Sequence, residues 1–143
     1  MSKGDVFEND FLKLILNAVP IANIADNAAS APLTNVYISL HTADPGEAGT
    51  QSTSEATYTG YARAAVARTS GGWTITGNSA TPVANVDFPA CTGGTNTITH
   101  AAVGTAGSGT GKILWKGAVS PTIAVSAGVT PRINAGASVI TED

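Results

Sequence analysis

Residues 35–49 read NVYISLHTADPGEAG, and this stretch decides the fold class. The run 35–42 has the composition of a short β-strand, and small, turn-forming residues follow it directly. The Asp-Pro-Gly segment at 44–46 predicts a sharp turn, because Pro presets φ and Gly tolerates positive φ. The polar residues from 43 to 57 form a long loop, which in compact domains is usually functional or disordered.

The same alternation of short β-like runs and turn residues continues toward the C-terminus. The predicted strands are 35–42, 60–69, 72–76, 83–88, 97–105, 113–117, 122–126, 130–134 and 138–141. No segment between them is long or periodic enough for a crossover helix, which disfavours a parallel α/β sheet. The sequence therefore predicts an all-β fold, an antiparallel β-sandwich or jelly roll of about eight strands with an N-terminal helix or arm.

The N-terminal segment is predicted to be helical, because an apolar stripe recurs there at helical spacing. The stripe consists of Phe7, Phe11, Leu14, Ile15, Ala18 and Val19. Asp5 and Glu8 resemble a capping pair, and Pro20 ends the helix. The stripe rests either on the domain's own sheet or on a neighbouring subunit, since an unpaired amphipathic helix is only marginally stable. We expect an amphipathic helix or arm in 1–33 and a β-sandwich domain in 34–143.

The chain is poor in charge. Charged residues make up 12% of it, against about 25% in typical soluble domains, and the formal net charge is −3. The seven Lys and Arg residues are scattered, whereas nucleic-acid binding requires a cationic stripe. So few charges indicate a surface that other proteins cover, although an ordinary Thr-rich β-sandwich has the same composition.

The cysteine count indicates the cellular compartment in which the protein folds, and the hydropathy pattern shows whether a membrane segment is expected. Cys91 is the single cysteine, which excludes an intrachain disulfide and suits assembly in a reducing cytoplasm. The apolar run 11–16 is interrupted by Lys13 and is too short to span a bilayer. We therefore expect no membrane segment and no nucleic-acid partner.

The segment 106–113 resembles a phosphate-binding loop. Its Ala106 stands where the motif needs Gly, and its Ile113 stands where the motif needs Ser or Thr. A strand rather than a helix follows it, so no helix N-terminus faces a phosphate. We interpret 105–111, TAGSGTG, as a flexible hairpin connection.

Ser39, His41 and Asp44 are the residue types of a hydrolytic triad, but no nucleophile elbow or oxyanion glycine pair accompanies them. His41 and Asp44, together with Glu47 and Glu55, also lack the spacing of calcium or zinc sites. We expect no catalytic residue, no cofactor and no metal site, and hence a non-enzymatic protein.

Two stretches resemble small structural proteins of tailed-phage particles. The first combines VYISLHTADPGE (36–47) with YTGYAR (58–63), similar to a signature LHTADPG…GYAR. The second combines NVDFP (85–89), TITHAAV (97–103) and GKILW (111–115). Given its length and its helical start, the chain is most similar to the jelly-roll capsid cement, or decoration, proteins of short-tailed phages.

The resemblance implies a cement protein on the outer capsid surface of the virion. Its partners would be the major capsid protein, whose neighbouring subunits it staples, and a second copy of itself in a dimer or trimer on a symmetry axis. Because related proteins carry tail and fibre names, the alternative is a minor tail or tail-fibre-associated structural or receptor-binding protein. The resemblance implies no enzymatic residue.

We expect other virion proteins to contact the N-terminal segment and the loop 43–57. The candidate contact residues are Phe7, Phe11, Leu14, Asp44, Pro45, Glu47, Tyr58 and Arg63. Arg63 pairs either with Asp44 or with a carboxylate of the partner. Tyr58, beside the polar loop, is the best candidate for an exposed contact, and the alternative is a partly buried Tyr at the start of a strand.

Overall fold

A computed structural model describes residues 5–21 and 32–142. These residues form one helix and nine strands. The elements are α1 (Asp5–Leu16), β1 (Asn35–His41), β2 (Ala64–Ala67), β3 (Trp73–Thr76), β4 (Ser79–Pro82), β5 (Val86–Asp87), β6 (Asn96–Gly104), β7 (Ile113–Val125), β8 (Arg132–Ile133) and β9 (Ile140–Thr141). The predicted all-β class with one N-terminal helix is confirmed.

The strands form three antiparallel groups, with the orders β2-β1-β6-β7, β3-β4-β9 and β5-β8. The chain divides into two compact units. We call residues 1–35, 66–85 and 133–143 the helix unit, because it contains α1 with β3, β4 and β9. We call residues 36–65 and 86–132 the loop unit, because it contains the long connection 42–63 between β1 and β2.

The core of the loop unit comes mainly from β1 and β6. These strands pair antiparallel from Tyr37 opposite Gly104 to His41 opposite His100. The buried apolar side chains of the unit include Val36, Ile38, Leu40, Tyr58, Val86, Phe88, Cys91, Ile98, Ala102, Val103 and Val125. Both strands match the prediction within one residue at each end, because long apolar runs bounded by turn residues give the clearest strand pattern.

The strands predicted at 60–69, 83–88, 130–134 and 138–141 are present but shorter, as β2, β5, β8 and β9. Strand β4 was not predicted, and it pairs with β3 in a hairpin from Trp73 opposite Pro82 to Thr76 opposite Ser79. Its two-residue turn matches a common hairpin class, with Gly77 at a φ of 58°. Strand β4 was missed because its residues are small or polar and it ends in proline.

The predicted strands 113–117 and 122–126 run together as β7. The pairing of β6 with β7 shifts between Ile98, opposite Ile123, and His100, opposite Ala118. Four residues of β7 therefore face a single residue of β6, and this irregularity accommodates Pro121, which has no amide hydrogen for a regular ladder.

The helix packs on its own unit, against β3 and β4. The sequence had left two alternatives open, packing on the domain's own sheet or on a neighbouring subunit, and the structure shows the first. The buried face differs from the predicted stripe. Glu8, Leu12 and Leu16, spaced four residues apart, are the buried positions, while Phe7 is 43% exposed. The helix ends at Leu16 instead of near Pro20, because Ala18 adopts a left-handed φ of 54°.

Arg68 stabilises the end of this helix. Its guanidinium donates to the carbonyl oxygens of Ile15 (2.6 Å), Leu14 (2.9 Å) and Leu33 (2.7 Å). The last carbonyls of a helix lack intrahelical partners, and a cationic side chain there also suits the helix dipole. The predicted domain boundary between residues 33 and 34 stays a prediction. The predicted N-terminal cap of the helix involves the side chain of Asp5, which lies outside the described part of the structure. The described helix is too short to cross a membrane.

Candidate functional site

Arg63 joins the connection between β1 and β2 to the connection between β6 and β7. Its guanidinium donates to both carboxylate oxygens of Glu55, over 2.6 Å from Nε and 2.8 Å from Nη2. It also donates to the carbonyl oxygens of Ala106 (2.9 Å) and Gly109 (2.7 Å). Because Glu55 lies in the segment 42–57 and the carbonyls lie in 105–112, one buried side chain holds both segments. We call these two segments the paired loops.

Tyr61 ties this ion pair to the sheet. Its hydroxyl donates to Glu55 Oε1 over 2.9 Å and accepts from the backbone N–H of Leu40 over 3.0 Å. Burial raises the pKa of Tyr61 above its ordinary value, so the phenol stays protonated and able to donate. The hydrogen bonds to Glu55 raise the pKa of Arg63. The ion pair is thus anchored to strand β1 by a neutral hydrogen-bond donor.

Gln51 joins the paired loops a second time. Its side chain is fully buried, its Oε1 accepts from Ala106 N–H over 3.0 Å, and its Nε2 donates to the Tyr37 carbonyl over 3.1 Å. Glycine is required beside it, because a Cβ at Gly104 would lie 2.2 Å from Gln51 Cδ, and one at Gly111 would lie 2.0 Å from Gln51 Oε1. The Gly-rich composition of 105–111 therefore makes room for a side chain. The predicted hairpin connection between β6 and β7 is confirmed. Hydrogen bonds to Gln51, Arg63 and Ser52 hold it in place, which the expected flexibility did not include.

His41 anchors the start of the first paired loop. Its Nδ1 lies 2.8 Å from the Thr53 carbonyl oxygen, and its Nε2 lies 2.9 Å from Ser39 Oγ. A carbonyl only accepts, so Nδ1 carries the hydrogen and Nε2 accepts from the Ser39 hydroxyl in the neutral ring. Burial lowers the pKa of His41, which favours this neutral form.

The outer edge of the first paired loop is held by charges at the surface. Lys116 Nζ lies 3.0 Å from Asp44 Oδ1 and 3.0 Å from Glu47 Oε1. The backbone N–H of Gly46 donates to Asp44 Oδ1 over 2.8 Å, and this bond, followed by the one from Lys116, lowers the pKa of Asp44. The predicted turn at 44–46 is confirmed, with a φ of 75° at Gly46.

The structure places the predicted contact residues in different environments. Asp44 and Glu47 are exposed, Phe7 is partly exposed, and Phe11 and Leu14 are half-buried on the same flank of α1. Pro45 is buried by its own domain. Whether any of these residues contacts another protein stays a prediction.

The surroundings of Tyr58 and Arg63 differ from the main predictions made for them. Tyr58 is only 3% exposed, and its hydroxyl donates to the Pro89 carbonyl over 2.9 Å, so the interpretation of it as an exposed contact is corrected to a core residue. Arg63 pairs with Glu55, which neither predicted alternative named. Asp44, the predicted internal partner of Arg63, binds Lys116 instead.

The site's chemistry is that of a fixed polar scaffold. Ser39 and His41 do bond to each other, but both are fully buried, and Asp44 lies with Lys116 rather than with the histidine. No group of three or more potential metal ligands occurs among residues 5–21 and 32–142. Sequence reasoning missed Gln51 and Lys116 entirely, and no local pattern identifies either, because each finds its partner far along the chain.

Replacing Arg63 with Met should lower the free energy of unfolding by about 3 kcal/mol, because it leaves the half-buried Glu55 carboxylate without its cation. Lys116→Met is the matched control, since it removes a cation of similar length from an ion pair at the surface, and it should change stability little. Urea unfolding of the three proteins measures the difference. Equal effects of the two substitutions would contradict the assignment of Arg63 as the main link.

The buried neutral His41 should make the protein less stable in mild acid. Its pKa in the folded state lies below its ordinary 6.5, so below that pH the unfolded chain binds the proton more readily and stability falls. His41→Gln should flatten the stability profile between pH 7 and pH 5 relative to the wild-type protein. Thermal unfolding across this range measures both profiles, and a slope that survives in His41→Gln would refute the assignment.

Comparison with known proteins places the chain in a family. The family model described as podophage GP4 fiber I protein gp80 matches residues 11–141, which include the second half of α1 and all nine described strands. No curated protein matches the sequence. The match agrees with the resemblance to short-tailed phage proteins carried by 36–47 and 58–63. The chain therefore belongs to the gp80 family of podophage fibre proteins and is a structural protein of short-tailed phages.

Proposed function

We propose that this protein is a structural subunit associated with the tail fibres of a short-tailed phage. The family match carries the proposal, because the family is described by a fibre protein and the match spans residues 11–141. The sequence-based interpretation as capsid cement has no comparable support from the comparisons. The tail-fibre alternative, which the sequence left open, becomes the main one.

The paired loops support a role in assembly. A loop that is ordered before binding loses less conformational entropy in a complex than one that must fold on contact. The backbone carbonyls of Ala106 and Gly109 are already occupied by Arg63, and the backbone amide of Gln51 donates to Gly111 over 2.9 Å. The loop unit therefore presents a preset shape, which suits a permanent component of a particle.

The role is structural rather than enzymatic in this proposal. Ser39 and His41, which have the appearance of a nucleophile and its base, are fully buried beneath the first paired loop. The Ser39 hydroxyl already donates to the His41 ring, and the other ring nitrogen is occupied by the Thr53 carbonyl. A substrate would have to displace the loop before it reached either group.

Copy number and position in the particle test this proposal. Quantitative mass spectrometry of purified virions should give on the order of tens of copies per particle, as expected for an appendage of low rotational symmetry. Gold-labelled antibodies against the protein should bind at the tail in electron micrographs. A count on the order of hundreds, with label spread over the head, would overturn the fibre proposal and support capsid cement.

A further inference from the structure

The hydroxyl of Ser39 has two acceptors within reach. Its oxygen lies 2.9 Å from His41 Nε2 and 3.4 Å from the carbonyl oxygen of Ala102. A serine hydroxyl carries one hydrogen, so it donates to one of these groups at a time, while its oxygen is able to accept from a further donor. Ser39 and His41 have no exposed surface, and Ala102 is buried as well. The hydroxyl hydrogen therefore has two alternative positions inside the loop unit.

With a neutral His41 ring, the hydroxyl hydrogen points at the histidine. The ring donates from Nδ1 to the carbonyl oxygen of Thr53 over 2.8 Å, which leaves Nε2 as an acceptor. The Ser39 hydroxyl donates to this nitrogen over 2.9 Å. Both ring nitrogens are thus satisfied, and one of the two bonds holds the first paired loop.

A rotation of the same hydroxyl accommodates a proton on His41. The added proton occupies Nε2, which becomes a donor, and the Ser39 oxygen accepts from it across the same contact. The hydroxyl hydrogen then turns to the carbonyl oxygen of Ala102. The bond from Nδ1 to Thr53 keeps its direction and becomes charge-assisted, which strengthens it. Every polar hydrogen of the group therefore has an acceptor in both protonation states.

The charged groups around His41 make this hydroxyl important. Burial lowers the pKa of His41 most, and the hydrogen bond to Thr53 and the carboxylate of Glu55 act in the opposite direction. Arg63 and His100, which lies opposite on β6, lower the pKa further. Because Glu55 already pairs with Arg63, a charged histidine ring depends on hydrogen bonds to neutral groups for its stability.

We propose that His41 and Ser39 form a buried proton-binding site in which the serine hydroxyl reverses its hydrogen bond, so that the paired loops keep their form when the histidine is charged. The rival arrangement is a pH switch, in which the charged ring breaks its contacts and releases the first paired loop. The geometry favours the first, because the contact that holds the loop, from Nδ1 to Thr53, needs the same donor in both states. The inference concerns the loop unit by itself and does not depend on where the subunit lies in the particle.

Titration of the histidine side chains by NMR tests the role of the hydroxyl. The signals of His41 are identified by their loss in His41→Gln. Ser39→Ala should lower the proton affinity of His41 about tenfold, because the protonated Nε2 loses its acceptor, and a hydrogen bond from a charged group is stronger than one from a neutral group. Ser126→Ala removes an exposed hydroxyl of the same unit and should leave the midpoint unchanged. A midpoint in Ser39→Ala equal to that of the wild-type protein would overturn the proposal.

Amide hydrogen exchange of the wild-type protein separates a stable loop from a switch. The backbone amides of Thr42 and Ala56 donate to the carbonyls of Ser54 and Leu40, each over 2.8 Å, and so report on the first paired loop beside His41. Their rates are divided by those of an unstructured peptide at the same pH. Protection should be equal above and below the titration midpoint of His41. Loss of protection below the midpoint, with β6 still protected, would establish a switch instead. Global unfolding before His41 takes up its proton would equally contradict the proposal.

Discussion

The ion pair between Arg63 and Glu55 is the constraint on which the rest of the loop unit depends. Two long segments rich in Gly, Ser and Thr have little apolar surface to bury, so their backbone groups need polar partners inside the domain. Arg63 supplies several donors in a rigid plane, and Glu55 compensates its charge. Tyr61 and Gln51 extend the same network to β1 and to the opposite loop. The shape of the paired loops is therefore a consequence of buried polar pairing.

The two units are stabilised by different kinds of interaction. In the loop unit, every acidic residue lies in an ion pair, and buried hydrogen bonds hold the paired loops. The helix unit keeps exposed apolar side chains, among them Phe7 and Val139. Its helix is held by Leu12 and Leu16 on the buried face and by the hydrogen bonds from Arg68 at its C-terminal end.

The sequence allowed the fold class and part of the detail to be predicted. Strands β1 and β6, the turn at 44–46 and the presence of an N-terminal helix all follow from local patterns of apolar and turn-forming residues. The buried face of α1 was predicted wrongly, because Glu8 occupies a core position that no hydrophobic pattern includes. The fixed conformation of 105–111 was also not predicted, because a glycine-rich segment is typical of a flexible connection. The residues that hold it, Gln51 and Arg63, are distant from it in the sequence. Partners that are far apart in the chain leave no periodic signal.

Amide hydrogen exchange of the free protein tests this account most directly. The informative amides are those of Gln51 and Ala106, which donate to the Gly111 carbonyl and to Gln51 Oε1. If the buried network holds the paired loops, these amides should exchange as slowly as the paired amides of β6. Exchange at the rate of an unstructured peptide, while β6 stays protected, would contradict the claim that Arg63 and Glu55 set the form of the loop unit.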